Sequence, residues 1–317
     1  MTGEHDEHLA DLLARREEDP RGSGWTELEP GLRRAVDACS SLERDLSALS
    51  LAAQGHPERA GPWVLLRPLG RGTSGTIYLG EREDSAERAD GAGRAAVRFV
   101  AKIDGPDLVE TARRAAEWRH EAVVPVLEVG QGWIATEVSG GVPLSSILAA
   151  HRSDATVDPR ETTGPLLRAL APIAEALDAA HAAGLVHGGI SPRRLDLSRD
   201  GRIRLRDFGF DPTRSVRPPT TDFPPLGSAP YLAPEQTAED GVIGAATDVY
   251  SFAAVVRTVA TGVPPHNART LTELVRRIRE EDVEGVSGEL GEALGRCLVR
   301  DAGGRAEGLG ELAAALR

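Results

Sequence analysis

The chain has 317 residues, enough for one large domain or two small ones, and at 40% hydrophobic and 27% charged it carries the apolar content of a packed core. Its 49 acidic against 37 basic side chains leave a formal net charge of −12, which argues against a nucleic-acid or anionic-membrane partner, since both need a basic surface. Its two cysteines, Cys39 and Cys297, fit no metal or disulfide spacing, so a reduced, cytoplasmic setting is expected.

Residues 1 to about 60 read as a helical preface. The first ten residues are acidic without an apolar run, so no secretory leader is expected, and no window of the chain approaches a membrane span. Leu9, Leu12 and Leu13 share a helical face that stops at Glu17-Glu18-Asp19-Pro20. Pro30 suits the first turn of a second helix. There Leu32, Val36, Cys39, Leu42, Leu46 and Leu49 recur at spacings of three and four, an amphipathic helix of roughly five turns. That stripe either packs on the body of the same protein or serves as a docking or self-associating face within residues 28–54.

Gly61-Pro62 opens the main domain, expected over 61–317. Trp63–Leu69 reads as a strand, Gly70-Arg71-Gly72-Thr73-Ser74-Gly75 as a loop and Thr76–Leu79 as a second strand. In a dinucleotide-binding fold the third glycine of G-x-G-x-x-G leads into a helix, whereas here it leads into a β-branched and aromatic run. Glycines at 70, 72 and 75 let backbone approach a phosphate with no side chain in the way. Ala95–Ile103 is the third strand, Leu108–Arg119 a helix, and Ala122–Val129 and Trp133–Val138 further strands. Ser145–Ala150 and Pro165–Ala183 are helices, the latter with a core face of Leu166, Leu170, Ile173, Leu177 and Ala180. Lys102 is the single lysine of the chain; it marks either a site that needs an ammonium or a chance survival.

The densest chemistry lies between Gly184 and Gly209. Asp200-Gly201 is a hairpin signal joining a strand at Leu195–Leu197 to one at Arg202–Arg206. In the second strand Ile203 and Leu205 alternate with Arg202, Arg204 and Arg206, so one face is buried and the other basic. It ends on Asp207-Phe208-Gly209. After a Pro-rich stretch come Gly227 to Glu235 with an A-P-E triplet, then Asp248-Val249-Tyr250-Ser251-Phe252, Thr261 to Pro265, Cys297 to Asp301, and Arg305.

In this order the segments resemble the protein kinase family, and bacterial Ser/Thr kinases in particular, from about Pro62 to Arg317. The resemblance implies a bilobal α+β fold, with a small strand-rich lobe over 61–138 and a larger helical lobe over 139–317. By the same resemblance the Gly70, Gly72 and Gly75 loop covers ATP phosphates, and either Arg98 or Lys102 fills the phosphate-holding lysine slot of the third strand. The family's helix glutamate falls on Thr111, with Glu110 beside it. Glu137 lies in the hinge whose backbone reads adenine, and Asp207 is the remaining metal carboxylate. His187 is expected to pack behind Phe208, Asp248 to anchor the catalytic-loop backbone and Arg305 to pair with Glu235.

The departures fall on chemistry. Gly189 stands in the slot of the catalytic Asp, Ser191 in that of the Lys and Arg194 in that of the metal-binding Asn. Asp196 occupies an apolar slot and is expected to point out of the site. A positioned general base contributes on the order of 10²–10⁴-fold to a rate, and Gly189 has no side chain to act as one. The reading is a pseudokinase that regulates or scaffolds a protein partner such as an active kinase, with weak ATP binding and a role for Mg²⁺ both left open. The alternative is a kinase-fold transferase, moving a phosphoryl or nucleotidyl group, with relocated catalytic groups.

Overall fold

The computed structural model describes residues 29–36, 58–72, 75–83, 94–99, 107–153, 157–208 and 227–317. Six strands form one antiparallel sheet in the order β1-β2-β3-β4-β6-β5, from β1 (Arg59–Ala60), β2 (Trp63–Gly72), β3 (Gly75–Arg82), β4 (Arg94–Phe99), β5 (Val126–Gly130) and β6 (Trp133–Thr136). Alternation fixes its two faces. Trp63, Leu65, Tyr78, Ala95, Val97, Trp133 and Ala135 bury one cluster. Val126 and Ile134 meet Ala112 and Ala115 of a helix on the other. Gly61, with φ 59°, passes so close to Trp133 that a Cβ there would lie 2.5 Å from the indole ring. The β2–β3 register slips on either side of Pro68, as a proline within a strand requires, yet the pair stays zipped as far as Gly72 opposite Gly75.

Residues 30–36 are helical and are termed α1. The helix on the sheet is α2 (Asp107–Glu117). The helical lobe holds α3 (Leu144–Ser153), α4 (Pro159–Ala182), α5 (Ala245–Thr261), α6 (Leu271–Glu280), α7 (Gly288–Cys297) and α8 (Gly310–Ala315). The long α4 begins six residues before the expected start at Pro165. Asp158 caps it by accepting from the Arg160 N–H, Pro159 fills its first turn, and Pro165 and Pro172 lie inside it. α5 is buried on nearly every side and runs through the core until Gly262 ends it at φ 76°. Cys297 is buried in the same core, which pushes its thiol up to about 11. A second sheet, β7 (Val142–Pro143), β8 (Leu195–Leu197) and β9 (Ile203–Leu205), lies at the junction of the lobes.

Two expectations change here. Ala122–Pro125 is not strand; it forms a parallel bridge with β9, with Val124 N–H on Leu205 O at 2.9 Å and Leu205 N–H on Ala122 O at 2.8 Å. This pairing stitches the two lobes by backbone alone. The second concerns the N-terminal stripe, for which packing on the body and a docking face were both open: over its first turns it packs on the body. Leu32, Ala35 and Val36 are buried in the core of the helical lobe, while Glu29 pairs with Arg168 at 2.8 Å and Arg34 with Glu161, both partners on α4. Cys39, Leu42, Leu46 and Leu49 lie outside the described residues. Among the described residues no helix is long and apolar enough to cross a membrane.

Candidate functional site

The loop after α4 is held by groups that do no chemistry themselves. Asp248, fully buried at the start of α5, accepts the His187 N–H at 2.8 Å through one oxygen and the Gly188 N–H at 2.7 Å through the other. His181 Nε2 meets the first of those oxygens at 2.9 Å. Gln236 donates to Gly188 O at 2.8 Å and accepts from Ala233 N–H at 3.0 Å, which ties the loop to the segment carrying the A-P-E triplet. His187 Nδ1 accepts from Gly189 N–H at 3.1 Å, so the ring proton sits on Nε2 and is donated to Arg206 O at 2.9 Å. The ring then meets Phe208 edge-on, with centroids 5.4 Å apart, and Phe208 packs on Trp118 at 5.3 Å. Asp248 and His187 thus take the places expected from the order of the motifs. Gln236 and Trp118 were missed, because nothing in their local spacing sets them apart.

Inside this frame positions 189, 191 and 194 carry glycine, serine and arginine, while Asp207 is kept. Gly189 presents only backbone. Ser191 is buried and places its hydroxyl 3.3 Å from that of Ser228, a neutral contact in a slot where transfer needs a cation. Arg194 turns its guanidinium inward, donating from Nη1 to Gly189 O and setting Nε 3.5 Å from Asp207 Oδ2; both side chains are 12% exposed. Asp207 has φ 63°, and it is the non-glycine residue with positive φ among the described residues. Such a backbone persists only where its surroundings hold it, and here Phe208 and Arg194 flank it.

The hinge and the floor beneath it are ionic. Glu137 accepts from Arg204 Nη1 at 2.6 Å, and Arg204 Nη2 donates to Ser139 O at 3.0 Å. Asp196 does not point out of the site: it is 2% exposed, takes the Ser139 hydroxyl, and pairs with Arg206 Nε at 2.8 Å. The expectation failed because an apolar slot was read as hostile to a carboxylate. A hydroxyl and a guanidinium from two neighbouring segments make it hospitable. Arg206 also donates to Arg193 O. The alternating arginines of β9 were the signal for this network, although alternation alone does not say what covers a face.

On the strand-rich side, Gly70, Gly72 and Gly75 lie on the paired ends of β2 and β3. Arg98 lies on β4, its backbone between Ile77 and Ile134, while Lys102 lies outside the described residues. Glu110 is exposed and faces Arg113 of its own helix at 3.9 Å. A magnesium ion needs oxygen ligands in near-octahedral array, whereas Arg194 offers donors only and already faces Asp207, and the buried Asp196 is paired with Arg206. Among the described residues no three His, Cys, Asp or Glu side chains converge as a metal site. These residues do not fit a metal ion. A cavity of about 550 Å³ in the helical lobe, lined in part by Arg257, Glu284, Leu294 and Arg300, includes none of the cleft residues.

The family model for protein tyrosine and serine/threonine kinases matches residues 64–307. Serine/threonine-protein kinase AfsK of Streptomyces coelicolor is 30% identical over 269 residues, which cover 80% of this chain and 31% of the relative. Serine/threonine-protein kinase PknH of Mycobacterium tuberculosis is 31% identical over 225 residues, 68% of this chain and 34% of its own. The DNA damage-responsive serine/threonine-protein kinase RqkA of Deinococcus radiodurans is 31% identical over 217 residues, 65% of this chain and 30% of its own. The chain spans about a third of the length of these curated relatives.

Proposed function

The chain belongs to the protein tyrosine and serine/threonine kinase family, and on that premise we propose that it is a pseudokinase, a catalytically inactive binding module that regulates or scaffolds a protein partner such as an active kinase. The family in general uses ATP and Mg²⁺, and transfer needs a base, a cation on the phosphoryl group and a held metal. The observation that carries the reading is Arg194, whose guanidinium lies on Gly189 O and beside Asp207 where the base and metal belong. ATP binding is not required by this reading; any residual affinity falls to the Gly70, Gly72 and Gly75 hairpin and to Arg98 or Lys102. The acidic chain works in the cytoplasm, and self-association through residues 28–54, of which only 29–36 are described, is part of the same proposal.

The test is incubation of the full chain with labelled ATP and Mg²⁺ or Mn²⁺. Neither the protein itself nor a generic substrate should take up label, and Gly189→Asp alone should not rescue transfer while Ser191 and Arg194 stay in place. Robust labelling by the unmutated chain sinks the proposal and points to relocated catalytic groups. A pull-down with the full chain identifies the partner, and sedimentation of the same chain shows whether it self-associates.

A further inference from the structure

The basic face of β9 is not absorbed by the loss of catalysis. Its alternation reads as a solvated face, yet two of its three arginines turn into the junction of the lobes. Arg204 is 21% and Arg206 28% exposed, against 68% for Arg202. With Arg194 they make three guanidinium groups facing three carboxylates, those of Glu137, Asp196 and Asp207. Each pair sits where a nucleotide complex has a requirement of its own. Arg204 takes Ser139 O, a hinge acceptor. Asp196 and Arg206 put an ion pair beneath the hinge, where a purine needs an apolar surface to lie against. Arg194 takes the carboxylate that would hold a metal.

We infer that the interlobe cleft of this chain is filled from within: Arg194, Arg204 and Arg206 with their carboxylate partners occupy the hinge acceptor, the cleft floor and the metal carboxylate, and hold the lobes together without nucleotide or metal. The inference rests on the pseudokinase reading and deepens it. The charges of the three pairs cancel, so the network offers a polyphosphate no net attraction. A base entering beneath the hinge must displace Asp196, whose carboxylate is already desolvated and paired, and a buried charge stripped of its partner is strongly unfavourable. Arg204 ties β9 of the helical lobe directly to the connector through Glu137 and Ser139. The backbone pairing of Val124 with Leu205 runs alongside.

The experiment is thermal shift and titration calorimetry of the full chain with ATP, with and without Mg²⁺. The unmutated chain should show no saturable heat and no shift up to about 5 mM ATP. A chain carrying Arg194→Asn, Asp196→Leu and Arg206→Met, which removes the floor pair from both sides at once and leaves Asp207 open to Mg²⁺, should bind ATP at least about tenfold more tightly, and only with Mg²⁺ present. Saturable Mg²⁺-dependent binding by the unmutated chain overturns the inference, as does a folded triple variant that binds no better than wild type. Should the triple variant not fold, Asp196→Leu with Arg206→Met carries the variant arm, since it alone empties the floor: a gain of ATP binding supports the inference and no gain overturns it. Failure here is separable from failure of the pseudokinase reading, since binding without transfer of label sinks only this inference and transfer of label sinks both.

Discussion

Arg305→Ala is expected to destabilise the domain severely. The Arg305 guanidinium is 0% exposed and its partner Glu235 11%. It holds both oxygens of that carboxylate, at 2.7 and 2.8 Å, and reaches three carbonyls as well: Val299 at 2.7 Å, Ala246 at 2.9 Å and Arg300 at 2.9 Å. Its face lies 4.9 Å from the centroid of Tyr250. Truncation leaves Glu235 with the Thr247 hydroxyl at 2.8 Å as its side-chain donor among the described residues and strands a charge in the interior. Breaking one side of such a pair costs about 3–5 kcal/mol. For a domain of this size each kcal/mol moves Tm by about 2–4 °C, so a fall of about 6–20 °C is expected by calorimetry or circular dichroism of the full chain. Arg305→Lys should recover only part of it, because one ammonium cannot serve two carboxylate oxygens and three carbonyls in a fixed plane. Glu235→Leu combined with Arg305→Met should be milder than Arg305→Ala, since neither charge is left behind. A Tm for Arg305→Ala within about 2 °C of wild type would refute the reasoning.

Removing residues 1–36 should lower the melting temperature below that of a chain lacking only residues 1–28. Leu32 and Val36 are buried in the core of the helical lobe, and each such side chain contributes about 1.5–3 kcal/mol; equal melts for the two truncations would show that α1 is not part of the fold. Stability should also fall in mild acid. Burial holds the His266 imidazole below its ordinary value of 6.5, helped by Arg257 and Arg277 and opposed by Glu281, and burial followed by Arg152 does the same for His151. The unfolded chain therefore takes up protons first, so stability present above 6.5 is lost as pH drops through the lowered folded values. His266→Gln should flatten that decline in denaturant titrations, and an unchanged slope would show that His266 titrates normally.

The sequence made some contacts legible because they are fixed by the order of motifs. Asp248 under the loop, His187 behind Phe208 and Glu235 with Arg305 each join two segments whose spacing along the chain identifies both ends. Contacts that depend on what covers a face were not legible. Strand alternation places Arg204 and Arg206 on the side opposite Ile203 and Leu205 but does not show that the Glu137–Ser139 segment lies over them. Asp196 was misread for the same reason: Ser139 comes from a segment far off in sequence, and the hairpin that brings Arg206 near does not by itself show that the two charges pair. The start of α4 was ambiguous locally, since Pro159 after Asp158 and Pro165 after Gly164 are both acceptable first turns. The stripe from Leu32 was ambiguous globally, because an amphipathic face states that it needs cover without naming the cover.

Frame and chemistry are separable in this fold because they use different atoms of the same loop. Asp248 and Gln236 hold the backbone N–H and C=O groups of His187 and Gly188. His187 then uses one ring nitrogen for Gly189 N–H and the other for Arg206 O. These contacts need only backbone from position 189, so a glycine there leaves the loop in place. Position 194 differs. Asp207 is 12% exposed, and a carboxylate so enclosed needs a cation whether or not a reaction takes place. Where the family pattern has an asparagine and a metal ion, Arg194 supplies that charge as part of the chain. On the proposed reading the arginine is therefore not a mere lesion: it gives Asp207 a cation from within the chain, next to the inverted backbone at Asp207 and the Phe208 packing beyond it.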